Sequence, residues 1–370
     1  MKRWLLGLVT VLLAATALVF STGCTTVGAL GSLGSLGYYA QAAGGHLAMV
    51  RAARPVADWV ADPTTPAPLR ERLLLTQQMR DFAVQELKLP DNSSYRRYAD
   101  LQRPSVVYNV VAAPELGLTL KTWCFAFVGC VGYRGYFNRE PAEELAATLR
   151  AEGWETNVYG VPAYSTLGRT DWLGGDPLLN TFIQWSEGDV ARLLFHELSH
   201  QIAYADDDTM FNESFAVAVE RIGGKLWLAQ RGSPGSQAEN IAGQARRKAF
   251  QALTLATRAH LAQIYASTSN ESDEDKRGAK AEAMASFRAE YEALKTDSTS
   301  ALFGFKGYDG WVQRANNASF AVQAAYDELV PAFEQLFERQ DRDFQRFYAE
   351  VQTLARLPKN ERRSRLQNPP

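Results

Sequence analysis

The sequence predicts an α+β fold: a core with a small β-sheet over residues 38–224, then a mostly helical part over residues 225–370. Three observations predict it. Apolar residues recur every three or four positions before residue 90 and again after residue 211, the spacing of amphipathic helices. Residues 105–137 are instead rich in β-branched and aromatic side chains, broken by Pro and Gly, the pattern of strands and hairpins. At 370 residues and 46% hydrophobic content, the chain can bury one large core or two moderate ones.

The first residues stand apart from this fold. "MKRWLLGLVTVLLAATALVFSTGC" places Lys2 and Arg3 ahead of an apolar run over residues 4–20 and small residues before Cys24, the layout of an export signal. "STGC" resembles the lipobox read by lipoprotein signal peptidase, with Ser21 where Leu is usual. An uncleaved anchor and an ordinary secretory signal are the alternatives. The expectation is a lipoprotein signal peptide over residues 1–23, lipid on Cys24, and a flexible Gly/Ser-rich tether over residues 24–37. Thr25 stands where Asp would be the inner-membrane retention signal, which points to an outer-membrane lipoprotein facing the periplasm. Losing the two positive charges of Lys2 and Arg3 moves the net charge from −2 to −4, and neither value is basic enough to suggest a nucleic-acid partner. Of the three cysteines, lipidation of Cys24 leaves Cys124 and Cys130 as an even pair in an oxidising compartment, so a disulfide is expected, against two unpaired buried thiols.

Along the chain, "LRERLLLTQQMRDFAVQELKL" carries Leu73, Leu74, Met79, Phe82, Ala83, Leu87 and Leu89 at helical spacing. The β-rich stretch through "YRGYF" follows, and then "EPAEELAATLRAEG" reads as a short helix ending at Gly153. "ETNVYGVPAYSTLG" returns to strand. The loop "RTDWLGGD" and the segment "PLLNTFIQW" lead into a helix whose start is signalled by "SEGD". There Ser186 can cap free amides while Glu187 and Asp189 complement the positive end of the dipole. Beyond residue 211 two long helical stretches flank the solvated turn "STSNESDEDK", and a final pair covers about 315 to 355.

The helix that starts at "SEGD" carries "LLFHELSHQIAYADDDTMFNESFA", with two of the chain's four histidines. On a helix His196 and His200 lie one turn apart on one face and can direct their rings at one metal ion, with Glu197 rotated by about 100° and free to reach a water. This is the arrangement HExxH. Zinc held by two neutral nitrogens and a carboxylate keeps an open position, activates water and polarises a carbonyl, and Glu197 would carry the proton to the leaving amine. Two histidines can share a helix face by accident, but an apolar helix would not bury them without partners. No third histidine follows, since position 206 is Asp. The candidates for the third ligand are Asp206, Asp207, Asp208, Glu213 and Glu220. The Asp cluster reads most simply as a turn and cap, so Glu213 is the expected ligand, with Glu220 further along the same face as a partner for a histidine.

These residues carry a family resemblance. "FNESFA" is similar to the NExxA segment that supplies the glutamate ligand in the thermolysin-like metallopeptidases, the gluzincins, although only twelve residues separate His200 from Glu213 and no GAMEN segment precedes the motif. A fuller match is the bacterial family of predicted aminopeptidase lipoproteins, which the chain resembles in "YYAQAAGG", "LPDNSSYRRYADL", "WCFAFVGCVGYRGYF", "DPLLNT", "HELSHQ", "FNESFA" and "NNASFAVQAAYDELVPAFEQLF". Ala126, where a proline is usual, and the longer "RTDWLGGD" loop depart from it. The resemblance implies a zincin-like (thermolysin-like) metallopeptidase core, one zinc ion, and an aminopeptidase acting on peptides in the cell envelope. An endopeptidase or cell-wall-peptide peptidase, and a non-catalytic zinc-binding lipoprotein, are the competing functions. The groups that recognise a free amine are open among Asp171, Asp176 and Glu220, each of which also reads as structural. Tyr164 and Tyr308 are candidate oxyanion donors. Asn316 and Asn317 read as helix caps before contacts to a peptide, and His260 as structural.

Overall fold

The computed structural model describes residues 26–125, 129–163, 166, 174–206, 208–267, 272–323 and 329–367. The signal segment, Cys24, Tyr164, Asp171 and Asp207 lie outside the described residues. The chain divides into two units, residues 1–47 and 48–370. Residues 26–37, expected as a flexible tether, are helical and begin α1, Thr26–Ala52.

In the second unit, β1 (Arg54–Pro55) and α2 (Val56–Ala61) lead to α3, Ala67–Gln85. The apolar spacing noted above becomes the buried face of α3, with Leu73, Met79, Phe82 and Ala83 turned inward. Next come β2 (Arg97–Ala99), β3 (Val107–Pro114), β4 (Trp123–Phe125), β5 (Gly129–Val131) and β6 (Arg134–Tyr136). Helix α4, Arg139–Ala151, is closed by Gly153 at φ +88°, a left-handed turn that glycine makes without Cβ strain. Strands β7 (Trp154–Val161) and β8 (Leu178–Leu179) complete the β structure.

The strands form three small sheets among the described residues. One has the order β1-β2-β8, with β2 and β8 parallel. The second places β3 between β6 and β7, all antiparallel, and α4 packs its Ala142, Ala146 and Leu149 against it. The third is the β4–β5 hairpin, in which Cys124 and Cys130 stand directly opposite each other and form the expected disulfide.

The remaining elements are helical: α5 (Glu187–Ser199), α6 (Thr209–Gln230), α7 (Pro234–Ala266), α8 (Asp273–Thr296), α9 (Asp309–Arg314), α10 (Asn317–Gln323), α11 (Val330–Arg339), α12 (Phe344–Ala355) and α13 (Lys359–Gln367). The charged turn before α8 ends in a capping box, Ser272 with Asp275, which satisfies free amides at both residues.

The main core is built around α5 and α6, where Phe195, Phe211, Phe215 and Trp227 are buried with Phe82 of α3 and with Phe333 and Phe347 of α11 and α12. Each fully buried large apolar side chain contributes about 1.5–3 kcal/mol, so helices from both ends of the chain hold α5 and α6 in place. A second core joins α7 to α10 through Phe250, Phe287, Tyr291, Leu302 and Phe320. Among the described residues no helix is long and apolar enough to cross a membrane.

Candidate metal centre

Helix α5 starts where the sequence signals it. Ser186 Oγ accepts from Asp189 N at 3.2 Å, and Glu187 and Asp189 lie in the first turn. Glu187 Oε1 also accepts from Trp227 Nε1 at 2.9 Å, tying the start of α5 to the far end of α6. Val190, Ala191, Leu194, Phe195 and Leu198 form the buried face, with the Phe195 ring 6.0 Å from that of Phe82. With that face in the core, the side carrying Arg192 and His196 turns toward α6. The helix ends at Ser199, but His200 keeps helical backbone angles (φ −60°, ψ −19°) and so stays on the same side as His196.

The return to α6 is a tight, clamped turn. Asn212 accepts from Ala205 N and donates to Ala205 O, both at 2.8 Å, so one amide side chain mimics a pair of backbone bonds. Asp208 caps α6 by accepting from Phe211 N at 3.3 Å. Its carboxylate has no exposed surface and also receives Arg362 Nη1 at 3.2 Å and Arg363 Nη2 at 2.7 Å. Burial pushes the Asp208 carboxyl up, but the Arg363 hydrogen bond and charge more than offset this and hold it below the ordinary range. Asp206, the other described aspartate of the cluster, is exposed in the turn.

This hairpin of helices brings three donor atoms together. His196 Nε2 lies 3.3 Å from His200 Nε2 and 3.4 Å from Glu213 Oε2, and His200 Nε2 lies 3.8 Å from the same oxygen. On its other edge His196 Nδ1 lies 3.0 Å from Glu220 Oε2. That contact assigns the proton to Nδ1 in the neutral ring and leaves the Nε2 lone pair facing the group. His200 is nearly buried, whereas the His196 and Glu213 side chains keep 16% and 25% of their exposure. The group is therefore rooted in the core and open on one side.

Burial and three neighbouring carboxylates set the electrostatics of the group. Burial alone would lower the His196 pKa, yet Glu213, Glu220 and Glu197 around it raise it well above the ordinary value. His200, deeper and beside His196, is pushed down to about 4, by burial first and His196 second. Glu213, although burial pushes it up, is held below the usual carboxylate range by the two histidines. Two imidazoles and a carboxylate could hold a metal ion here. Ligands about 2.1 Å from a tetrahedral zinc are separated by roughly 3.4 Å, which the spacings of 3.3, 3.4 and 3.8 Å approach without rearrangement.

Glu197 is partly exposed and within electrostatic reach of His196 and Tyr95. The other candidates fall elsewhere. Asp176 is fully buried and accepts from Thr166 N at 3.0 Å and Thr166 Oγ1 at 2.9 Å, a structural contact between these two residues. Tyr308 stacks on Phe250 at 3.9 Å beside the second core, and burial raises its pKa. Asn316 Oδ1 accepts from Ser319 N at 3.2 Å as a cap of α10, while Asn317 Nδ2 donates to Glu115 O at 2.7 Å. His260 is exposed on α7.

Two residues near the group had no distinguishing motif. Tyr95 is 2% exposed at φ +63°, a strained conformation for an aromatic residue, and its hydroxyl is buried without a hydrogen-bond partner among the described residues. Burial raises its pKa and Glu197 raises it further, so it stays a neutral O–H donor. Its loop is held by buried Arg80, which donates to Ser94 O at 3.0 Å, and Asn92 joins the loop to Gln201 at 2.5 Å, just past His200. The other is Arg192, one turn before His196, whose only sequence signal is its position as a charge inside the apolar run "VARLLFHE".

A protein-family model described as "Putative aminopeptidase" matches residues 37–366, and the chain belongs to that family. No curated protein matches the chain, and no solved structure does.

Proposed function

We propose that this member of the aminopeptidase family is a zinc-dependent aminopeptidase with a zincin-like core, acting on peptides in the cell envelope and anchored there by lipid on Cys24. The observation that carries the proposal is the convergence of His196 Nε2, His200 Nε2 and Glu213 Oε2 at spacings of 3.3 to 3.8 Å on an HExxH helix. The family description supports the activity.

In this account His196, His200 and Glu213 hold one zinc ion, which when bound polarises a peptide carbonyl and lowers the pKa of water at its open position. Glu220 orients His196 and fixes its tautomer through Nδ1. Glu197 follows His196 by one residue, so its carboxylate points beside the metal ligands and can take a proton from the attacking water. It then delivers that proton to the leaving amine. The aromatic packing of Phe195, Phe211 and Phe215 keeps α5 and α6 from shifting, which preserves the spacing of the ligands.

The test is hydrolysis by the purified, zinc-loaded protein of peptides with free and N-acetylated termini. Removal of N-terminal residues from the free peptides only is expected. Cleavage inside acetylated peptides would establish the endopeptidase reading in its place.

A further inference from the structure

We propose that the chain carries a second binding site, behind the metal centre and separate from it, in which Arg192 holds the phosphate group of a small soluble phosphate ester. A cleft of about 1890 Å³ opens among α6, α7 and α11. Glu220 lines it, whereas His196, Glu197, His200 and Glu213 do not. A ligand there lies on the far side of the His196–Glu220 contact and does not enter the metal centre. The site therefore stands whether or not the chain is a peptidase.

Six cationic side chains line the cleft against three carboxylates, so its field favours an anion. Two of the cations are already matched: Arg247 pairs with Asp189 at 2.9 Å and Arg342 with Glu338 at 2.7 Å. Arg192 is not. It is 9% exposed, its Nε is buried without a hydrogen-bond partner, and its guanidinium makes no ion pair among the described residues. A guanidinium withdrawn from water with neither hydrogen bond nor counterion is costly, and a bound oxyanion removes that cost. Burial first and Arg247 next press the Arg192 pKa down, with Arg221 adding to them and Glu220 and Asp189 acting against them. A doubly charged group relieves such crowding of positive charge better than a singly charged one, and the planar fork of arginine meets two phosphate oxygens through parallel hydrogen bonds.

The fold reserves the space for this side chain. Its stem lies over Gly224 of α6, where a Cβ would stand 2.7 Å from Arg192 Cγ and 3.2 Å from its Nε, so the bare backbone is what admits it. Lys225 and Lys248 are exposed, line the same cleft, and have side chains with no hydrogen bond or ion pair among the described residues. Both can turn to an anion without giving up a partner. An arginine so little exposed in a cleft is reached by a small ligand and not by a flat membrane surface, which decides for a soluble ester over a lipid headgroup.

The test is isothermal titration of inorganic phosphate, glycerol 3-phosphate and acetate, at constant ionic strength, into the full chain stripped of metal with 1,10-phenanthroline, so that no ion at the metal centre takes up the anion. Saturable binding of one phosphate or one glycerol 3-phosphate per chain is expected, with acetate about tenfold weaker or more, and Arg192→Met should weaken phosphate by about tenfold or more. Absence of saturable phosphate binding, equal affinity for phosphate and acetate, or an affinity unchanged in Arg192→Met overturns the proposal. Should Arg192→Met fail to fold by circular dichroism, Arg192→Lys keeps the charge and loses the fork. Weaker phosphate binding by that variant then supports the site, and an unchanged affinity overturns it. Sedimentation with vesicles of phosphatidylcholine and phosphatidic acid separates the two sources of the phosphate group. Capture on those vesicles that depends on Arg192, with no binding of glycerol 3-phosphate, overturns the soluble ester.

Discussion

Glu220 Oε2 lies 3.0 Å from His196 Nδ1, on the edge of the ring opposite the nitrogen that faces His200 and Glu213. A carboxylate in that position fixes the ring and raises the basicity of the ligand nitrogen. Glu220→Ala is therefore expected to weaken zinc binding about 10–100-fold while the fold persists. Competition against a chromophoric chelator measures this, and an unchanged affinity would show that Glu220 does not support the ligand.

Asp208 joins the turn after the motif to the last helix of the chain. Arg362 is 2% exposed and donates to a carboxylate with no exposed surface, so Asp208→Ala removes the buried countercharge and leaves the guanidinium its hydrogen bonds to the carbonyls of Leu354, Ala355 and Leu357. Breaking one side of such a pair costs about 3–5 kcal/mol. Urea unfolding of the variant should show a lower midpoint with an unchanged slope, and a loss under about 1 kcal/mol would contradict the buried pairing.

The same carboxylate gives the stability a pH dependence of known sign. Its folded pKa lies below its ordinary value, so its contribution is fully present above the unfolded pKa and is lost as pH falls below about 4. The stability gap between wild type and Asp208→Asn is therefore expected to be wide at pH 6 and to shrink at pH 3. A gap that does not change with pH would count against the arginines as the cause.

The Cys124–Cys130 bridge closes a short loop with a sequence separation of 6, so its removal should cost roughly 2 kcal/mol by loop entropy alone. Mass spectrometry of unreduced, alkylated protein is expected to show both thiols protected. Two alkylated cysteines would exclude the bridge.

The sequence made α5 and α6 legible because a cap, an apolar face and a metal-ligand spacing all agreed over residues 186 to 220. The strands within residues 105–137 and the strand β7 were legible, but the short strands β1, β2 and β8 were not, nor that β3 sits between β6 and β7 while β4 and β5 pair apart, since pairing and register depend on contacts between distant segments. Asp208 read as a cap, and its pairing with arginines about 155 residues later left no local trace. Tyr95 was silent for a related reason, because its left-handed backbone is imposed by Asp176, Gln77 and buried Arg80 around it and not by its own preferences. Residues 26–37 read as a tether from glycine and serine content, whereas they lie in the helix α1.

Metal content after substitution of Glu213 tests the central claim most directly. Zinc counted per chain by plasma mass spectrometry is expected to be close to one in the wild-type protein and in Glu197→Ala, and to fall away in Glu213→Ala. Stoichiometric zinc retained by Glu213→Ala would contradict the assignment of His196, His200 and Glu213 as the metal centre.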